Sequence, residues 1–213
     1  DELAFEVENF NKQVITPNFN KAVLQEILLP EHPTSDNKGI DPEDKNQGKT
    51  LIFAVDDSHA DLIVNILKDM YAQIGVDEDC IKKITGSIEG KNKKKIAETI
   101  RHFKNDLKPS IVVTVDLLTT GIDVEEITRL VFMRRIKSRI LFEQMIGRAT
   151  RLCDEIQKDH FEIFDAVGVY EALEPVSSMK PVVVNPTVTF EQIIDGLKEL
   201  ENDEQRKSQI DIL

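Results

Sequence analysis

The stretch IVVTVDLLTTGIDVEEITRLVF, residues 111–132, contains two apolar runs on either side of a polar loop. Residues 111–115 are all β-branched and show no alternation of apolar and polar side chains. Such a run is typical of a strand that is covered on both faces, as in a parallel sheet. Residues 129–133 predict a second buried strand. The stretch therefore predicts the middle of a layered α/β domain.

Segments on both sides of this stretch continue the alternation of helix and strand. Their patterns predict helices at 17–28, 58–72, 91–103 and 138–152, and further strands at 51–55, 81–85 and 161–164. Alternation of this kind favours a mainly parallel sheet with helices on both faces. We therefore predict the α/β fold class.

The composition along the chain predicts four regions. Residues 1–29 form a lead-in helix and linker, and residues 30–48, rich in proline, aspartate and glycine, form a flexible loop. The α/β domain covers residues 49–170. Residues 171–213 form an extended tail and the start of a helical region, with a final helix at 190–200.

The polar loop between the two central strands carries Asp116, Thr119, Thr120, Gly121 and Asp123. Ligands of open parallel sheets bind beyond the carboxyl ends of the strands, where we expect this loop to lie. Its hydroxyls and backbone amides suit phosphate, and the last aspartate suits a ribose hydroxyl. The same residue types are also what an ordinary turn requires, so both interpretations stay open here.

A second motif, QMIGRATRLC at residues 144–153, places two arginines three residues apart. If the predicted helix continues through it, Arg148 and Arg151 project from one helical face. A guanidinium group is always charged and suits the triphosphate oxygens of a phosphoryl-transfer reaction. Gly147 lacks a side chain where a ligand would approach closely. The alternative is a solvated arginine face on an ordinary helix.

These motifs together resemble a known family. VTVDLLTTGIDV and QMIGRATR are similar to motifs V and VI of the superfamily 2 helicases and translocases, and TLIFAVDDSHADLIVNIL to motif IV. The phrases FAVDDSHADLI, RIKSRILFEQMIGRATRLC and NPTVTFEQI resemble, more narrowly, the motor or R subunit of type I restriction enzymes. The resemblance extends over about residues 10–195. It implies a RecA-like fold of the P-loop NTPase type, the second such domain of the motor, with a C-terminal helical extension.

The resemblance also implies roles for individual residues. Arg148 and Arg151 would be the catalytic arginines, with Arg151 at the position of the arginine finger. The implied nucleotide-binding residues are Gln144, Gly121, Asp123 and Gly147, and the implied nucleic-acid contacts are Thr114, Thr119 and Thr120. Glu125 departs from the pattern, because many relatives have proline there. That departure leaves the shape of the loop open.

Basic residues outside the motifs suggest a further surface. Arg134 and Arg135, followed by Lys137 and Arg139, come just after a predicted strand. They are expected to line a nucleic-acid or interdomain surface, although a solvated helix start explains each of them equally well. The net charge of −12 argues against a free-standing DNA-binding protein. We interpret the lysine run at 91–95 as the outer face of a helix.

Two parts of a complete motor are missing from the sequence. The phosphate-cradling loop and the acidic pair that holds magnesium belong to the first RecA-like domain of the family. GKT at residues 48–50 has the wrong context for such a loop, because it precedes a strand and Glu43 occupies the position of the first glycine. We therefore expect an excised second motor domain that does not hydrolyse ATP alone. ATP and Mg²⁺ would be bound mainly by the first domain, and no metal site is predicted here.

The predicted function is thus the second motor domain of an ATP-dependent DNA translocase in a type I restriction-modification system. The implied partners are double-stranded DNA, the first RecA-like domain and nuclease domain of the same subunit, and the methylase and specificity subunits. No apolar run is long enough to span a bilayer, and the two cysteines fit a reducing bacterial cytoplasm. The alternatives are the equivalent domain of another DNA or RNA helicase and a RecA-like scaffold without catalysis.

His59 lies in DDSHADLIV, in the first turn of a predicted helix. No neighbouring nucleophile or carboxylate spacing suggests a catalytic triad. We expect a helix-capping or surface role for it. Asp56 and Asp57 are expected to cap the same helix, where negative charge is favourable, and the DNA-facing edge is the other location considered for them.

Overall fold

The structure is a computed structural model that describes residues 11, 15–29, 39–85, 92–115, 123–136 and 138–169. These residues form a five-stranded sheet in the order β2-β3-β1-β4-β5, and every neighbouring pair of strands is parallel. The strands are β1 Lys49–Phe53, β2 Ile81–Lys83, β3 Ile111–Thr114, β4 Ile127–Phe132 and β5 Glu162–Asp165. The predicted α/β class and parallel sheet are confirmed.

Four α-helices accompany the sheet within the described residues. They are α1 Pro17–Leu28, α2 Asp57–Ala72, α3 Asn92–Asn105 and α4 Arg139–Ile146. The first three agree with the predicted helices to within two residues at each end. The fourth ends six residues before the predicted end at residue 152. Helix α1 begins with Thr16 as its N-cap and a proline in its first position, which accounts for its sharp start.

Each face of the sheet is covered by a separate apolar layer. On one face, α3 and α4 contribute Phe103 and Phe142, and Phe132 of β4 stacks on Phe53 of β1 with ring centroids 5.1 Å apart. On the other face, α1 and α2 pack on the alternate side chains of the same strands, such as Ile52 of β1. Both faces of the central strands are therefore buried, which explains their unbroken apolar sequence.

The lead-in segment belongs to this second layer. Leu24 and Leu28 of α1 are fully buried, and the Tyr71 hydroxyl of α2 lies 3.0 Å from the carbonyl oxygen of Leu28 and 3.1 Å from that of Ile40. The Ile40 amide donates to the Leu28 carbonyl at 2.8 Å. Residues 39–48, part of the stretch predicted to be a flexible loop, are thus tied to the core. Residues 30–38 and 171–213, including the predicted tail and final helix, lie outside the described residues.

His59 is fully buried, so of its two predicted roles, helix-capping or surface, the surface role was wrong. Its Nδ1 accepts from the Val55 amide at 3.1 Å, which leaves Nε2 to donate to Asn20 Oδ1 at 2.7 Å. Burial lowers the pKa of His59 to about 4, so the ring is neutral at pH 7. The expected cap is Asp56, whose carboxylate accepts from the His59 amide at 2.8 Å. His59 therefore joins α1 to α2 through a satisfied polar contact.

In the part of the chain that the structure describes, no helix has the length and apolar character needed to cross a membrane.

Candidate functional site at the amino edge of the sheet

The described end of the polar loop, residues 123–126, lies at the amino edge of the sheet, where the strands begin. The Lys49 amide at the start of β1 donates to the Glu126 carbonyl at 2.8 Å, and Lys49 pairs with Ile127 in the register of β1 and β4. The expectation that the loop lies beyond the carboxyl ends is therefore wrong for Asp123. Because β3 and β4 are parallel, the connection between them must cross from one edge of the sheet to the other.

The arginine motif reaches the same edge because α4 ends before it. Gly147 is the C-cap of α4, and the amides of Arg148 and Ala149 make i→i−3 bonds that tighten the last turn. The prediction that the two arginines share a helical face was therefore wrong. Both lie in the turn that follows the helix. The Thr150 hydroxyl stabilises that turn by donating to the Gly147 carbonyl at 3.1 Å.

The structure brings the two motifs into contact through an ion pair. Arg151 Nη1 binds Asp123 Oδ1 directly and lies 3.7 Å from a carboxylate oxygen of Glu125. The ammonium group of Lys104, at the end of α3, is 3.6 Å from the other oxygen of Asp123. The side chains of Arg151, Asp123 and Lys104 are 54%, 42% and 49% exposed, so this cluster is open to a ligand or a partner domain.

The other predicted nucleotide-binding residues flank this cluster. Arg148 is half-buried, whereas Gln144 and Gly147 are exposed. The backbone of Gly147 is right-handed, with φ of −56°, so its conformation does not require glycine. A Cβ atom there would lie 3.2 Å from the Glu143 carbonyl oxygen, which is a tight contact. Gly121 lies outside the described residues.

The buried side chain of Lys158 contacts the backbone of both motifs. Its side chain is buried, and its ammonium group donates to the carbonyl oxygens of Glu125 and Ala149, both at 2.8 Å. Burial lowers the pKa of Lys158, because the charged form loses its hydration. The two backbone carbonyls replace part of that hydration and hold the loop and the turn together.

A cleft of about 420 Å³ opens beside the cluster at this edge of the sheet. Carboxylates outnumber lysines in its walls, so an anion would bind there through individual cationic donors and not through the net charge of the cleft. Its lining side chains include Lys45, Lys49, Lys104, Asp106, Asp123, Glu125, Glu126 and Glu155. No group of three or more histidines, cysteines or carboxylates suited to a metal ion was found within the described ranges.

Three of the predicted nucleic-acid residues, Thr114, Arg134 and Arg135, lie at the opposite, carboxyl edge, where the strands end. Thr114 is fully buried in β3, so its side chain is closed to a nucleic acid in this conformation. Arg134 Nη1 donates to the Val115 carbonyl at 3.1 Å, and Arg135 Nε donates to the Val167 carbonyl at 2.8 Å. These guanidinium groups hold backbone segments together. Thr119, Thr120 and Lys137 lie outside the described residues, and nothing is described of the Arg139 side chain.

The GKT sequence is a strand start, as its context predicted. Gly48 has φ of +70°, and a Cβ atom there would lie 2.6 Å from the Glu126 carbonyl oxygen. Lys49 is 3% exposed and donates to the Asp106 carbonyl at 2.5 Å, with Glu126 3.4 Å away. Burial lowers the pKa of Lys49, partly offset by Glu126. Glycine is needed here for a close backbone approach, and the lysine is structural.

Similarity to known proteins identifies the family. The model of the helicase conserved C-terminal domain matches residues 22–153. The chain belongs to this helicase C-terminal domain family. The chain is 42% identical, over 205 residues, to the endonuclease subunit of the type I restriction enzyme EcoKI of Escherichia coli K12. The matched region covers 94% of this chain and 16% of that subunit. The predicted resemblance to the restriction motor family is confirmed.

Two further proteins are similar to this chain, one in sequence and one in fold. The endonuclease subunit of EcoAI, also from Escherichia coli, is 26% identical over 225 residues, covering 99% of this chain and 26% of that subunit. A fragment described as the HsdR subunit of a type I restriction enzyme from Vibrio vulnificus has the same fold, with a TM-score of 0.59 and 24% identity over 82% of this chain and 30% of that chain. The chain thus spans a minor part of each restriction subunit that it matches. Its RecA-like fold is confirmed.

Sequence reasoning missed two of the residues that build the amino edge. Lys104 is the penultimate residue of α3 and gave no motif signal. Lys158 lies beyond the arginine motif in CDEIQKDH, where a charged residue between polar neighbours indicates an exposed turn rather than a buried contact. Only the folded chain shows that both side chains point toward the loop residues 123–125.

Proposed function

We propose that this chain acts as the second motor domain of the DNA-translocating subunit of a type I restriction enzyme. The observation that carries the proposal is the contact of Arg151 with Asp123, which joins motifs V and VI at one exposed edge. The 42% identity to a restriction endonuclease subunit supports the choice among the members of the helicase family. In the proposed motor, this edge faces the nucleotide held by the first RecA-like domain.

The residues at this edge fit a triphosphate. Arg151 and Lys104 offer exposed cationic donors, and a guanidinium group binds phosphate oxygens through a fork of hydrogen bonds. ATP, bound with Mg²⁺ mainly by the first domain, would supply the phosphoryl group whose transfer to water drives the motor. When the two domains close, Arg151 exchanges the carboxylate of Asp123 for the phosphate. Asp123 is then available to accept a hydrogen bond from a ribose hydroxyl.

The proposed grip on DNA involves the opposite edge and the loop between the two. Thr119, Thr120, Arg134 and Arg135 would contact the nucleic-acid backbone, with the buried Thr114 supporting the start of the loop. The loop leaves the carboxyl end of β3 and reaches Asp123 at the amino edge. Movement of Arg151 and Asp123 on closure would therefore be transmitted along it to the DNA.

The remaining parts of the motor would come from elsewhere in the subunit and from its partners. We propose that the first RecA-like domain and a nuclease domain belong to the same polypeptide, and that methylase and specificity subunits bind it in the bacterial cytoplasm. The 213-residue chain alone is expected to have no ATPase or nuclease activity, because half of the nucleotide site is missing. ATP turnover by this chain above the level of a heat-denatured control would contradict that expectation.

The test is ATP turnover and triplex displacement by the complete subunit assembled with its partners. Arg151→Ala is expected to lower turnover by roughly 10³-fold or more, with DNA binding retained. Arg148→Ala is expected to lower it less, and Arg101→Ala, an exposed arginine on α3, is the matched control. Normal turnover in both motif variants would favour a non-catalytic scaffold. If the variants lose turnover but the wild-type subunit separates DNA strands and does not displace a triplex, another kind of helicase would be favoured.

A further inference from the structure

The chain turns sharply just after the arginine motif. Cys153 and Lys158 form an antiparallel bridge, with the Lys158 amide donating to the Cys153 carbonyl at 2.9 Å and the Cys153 amide donating back at 3.3 Å. A single helical turn, Asp154–Ile156, and Gln157 with φ of +54° connect them. This tight connection directs the side chain of Lys158 into the protein, where it is 7% exposed.

The ammonium group of Lys158 lies between the two motifs of the site. It donates to the carbonyl of Glu125, two residues after Asp123, and to the carbonyl of Ala149, two residues before Arg151. One buried cation therefore holds the backbone beside both members of the ion pair. Among the described residues, no backbone hydrogen bond joins the segment 123–126 directly to the turn 147–151.

The cost of burying this lysine suggests a purpose beyond packing. An isolated charge is unfavourable in an apolar environment, and here its acceptors are two neutral carbonyls. No carboxylate lies within 4.0 Å of it in the described part of the chain. The Ala149 carbonyl lies just past the end of α4, where carbonyl groups lack partners within the helix. Lys158 supplies that partner and spans to the loop at the same time.

We propose that Lys158 is a positioning residue that fixes the distance between the loop at 123–125 and the turn at 148–151, so that Arg151 is held ready for the nucleotide. This proposal rests on the proposed function, because it assigns the consequence of that geometry to ATP hydrolysis. Lys158 touches neither ATP nor DNA; it acts through the backbone of the residues that do.

A purely structural lysine would behave differently, and the chain contains one at the same edge. Lys49 is also buried and also donates to a backbone carbonyl, that of Asp106. Its other partner is the Glu126 carboxylate, 3.4 Å away at the end of the loop, and neither partner belongs to the turn at 147–151. Lys49→Met is therefore a control with similar burial, in which stability falls while the contact between the loop and the turn is kept.

The experiment is a double-mutant cycle in the complete, assembled subunit. Lys158→Met is expected to lower kcat for ATP by roughly 10- to 100-fold, because small misplacement of a catalytic group has effects of this size, while KM changes less than about 3-fold. In the Arg151→Ala background, the same substitution is expected to change the rate by less than about 2-fold. Single-turnover reactions with enzyme in excess make these slow rates measurable.

Two results would overturn the positioning role. One is an additive cycle, in which Lys158→Met lowers the rate equally with and without Arg151. The other is an equal loss of kcat, with equal coupling to Arg151, in Lys49→Met. If Lys158→Met fails to fold, the cycle is run with Lys158→Gln, which keeps two N–H donors on a shorter side chain and is expected to show a smaller, still non-additive loss. Normal turnover in Arg151→Ala itself would instead count against the proposed function.

Discussion

The two edges of the sheet use their charged residues in different ways. At the carboxyl edge, Arg134 and Arg135 donate to backbone carbonyls, and the Asp57 carboxylate accepts from Lys83 and the Thr85 hydroxyl. At the amino edge, Arg151 and Lys104 meet Asp123 while keeping about half of their surfaces exposed. The first set joins parts of the fold, whereas the second is available to exchange partners.

This difference teaches that charge alone does not identify a binding surface. Both edges carry arginines close to motif residues, and the sequence makes both sets candidates for binding. Partners and exposure separate them. A guanidinium group that binds a backbone carbonyl is held in place by the fold and keeps only its remaining N–H groups for a ligand, whereas an exposed ion pair is weak and opens at little cost. The comparison predicts large stability effects for the buried polar contacts of the carboxyl edge and small ones for the exposed ion pair of the amino edge.

The largest expected difference is between two histidines. His59→Leu, near the carboxyl edge, leaves the Val55 amide and the side-chain oxygen of Asn20 without their buried partner, so it is expected to lower the free energy of unfolding by roughly 3 to 5 kcal/mol. His102→Leu, on the exposed end of α3, is expected to change it by less than about 0.5 kcal/mol. Urea unfolding of the 213-residue chain compares them. Equal losses would break the comparison.

The same histidine predicts a pH dependence of stability. Its pKa is about 4 in the folded chain and 6.5 in the unfolded chain, so the unfolded state binds the extra proton first as the pH falls. Stability is fully present above pH 6.5 and is lost down to pH 4, by about 3 kcal/mol in total. Aspartates with lowered pKa values, such as Asp57, change the stability only at pH values below this window. Urea unfolding at a series of pH values should show this loss of stability in His102→Leu. If the loss persists in His59→Leu, it does not come from His59.

A comparison of two arginines sharpens the contrast. Arg134→Met removes a charged donor from the Val115 carbonyl and is expected to lower the free energy of unfolding by roughly 1.5 to 3 kcal/mol. Arg151→Met removes an exposed ion pair and is expected to cost less than about 1 kcal/mol. Thermal or urea unfolding of both variants decides the order. A larger loss in Arg151→Met would mean that the amino edge is structural as well.

The fold could be predicted well because its signals are local. The unbroken apolar residues of β3 and β4 reflect burial on both faces, and the N-cap and proline of α1 mark its start. The early end of α4 was missed, since nothing in RATR forbids a helix. Tertiary contacts decide it: Lys158 takes the Ala149 carbonyl that another helical turn would have used.

The candidate site was less predictable, because its contacts join distant parts of the chain. Arg151 meets Asp123 of the other motif, and Lys158 meets Glu125 across 33 residues. Neither pairing leaves a periodic trace in the sequence. The edge of the sheet at which Asp123 lies also follows from the direction of β4, which residue types alone do not show. A motif indicates which residues act together, and the fold decides where.

The smallest expected effect tests how easily the amino edge opens. Glu125→Gln removes the second carboxylate beside Arg151, at 3.7 Å, and keeps the backbone carbonyl that Lys158 binds. Because the pair is exposed, the free energy of unfolding should fall by less than about 0.5 kcal/mol at low salt and show no difference in 0.5 M salt, where screening acts within about 4 Å. Asp123→Asn, which removes the direct partner of Arg151, should show a larger difference with the same salt dependence. A loss that persists at high salt in Glu125→Gln would mean that Arg151 is held too firmly to exchange the carboxylates for a phosphate.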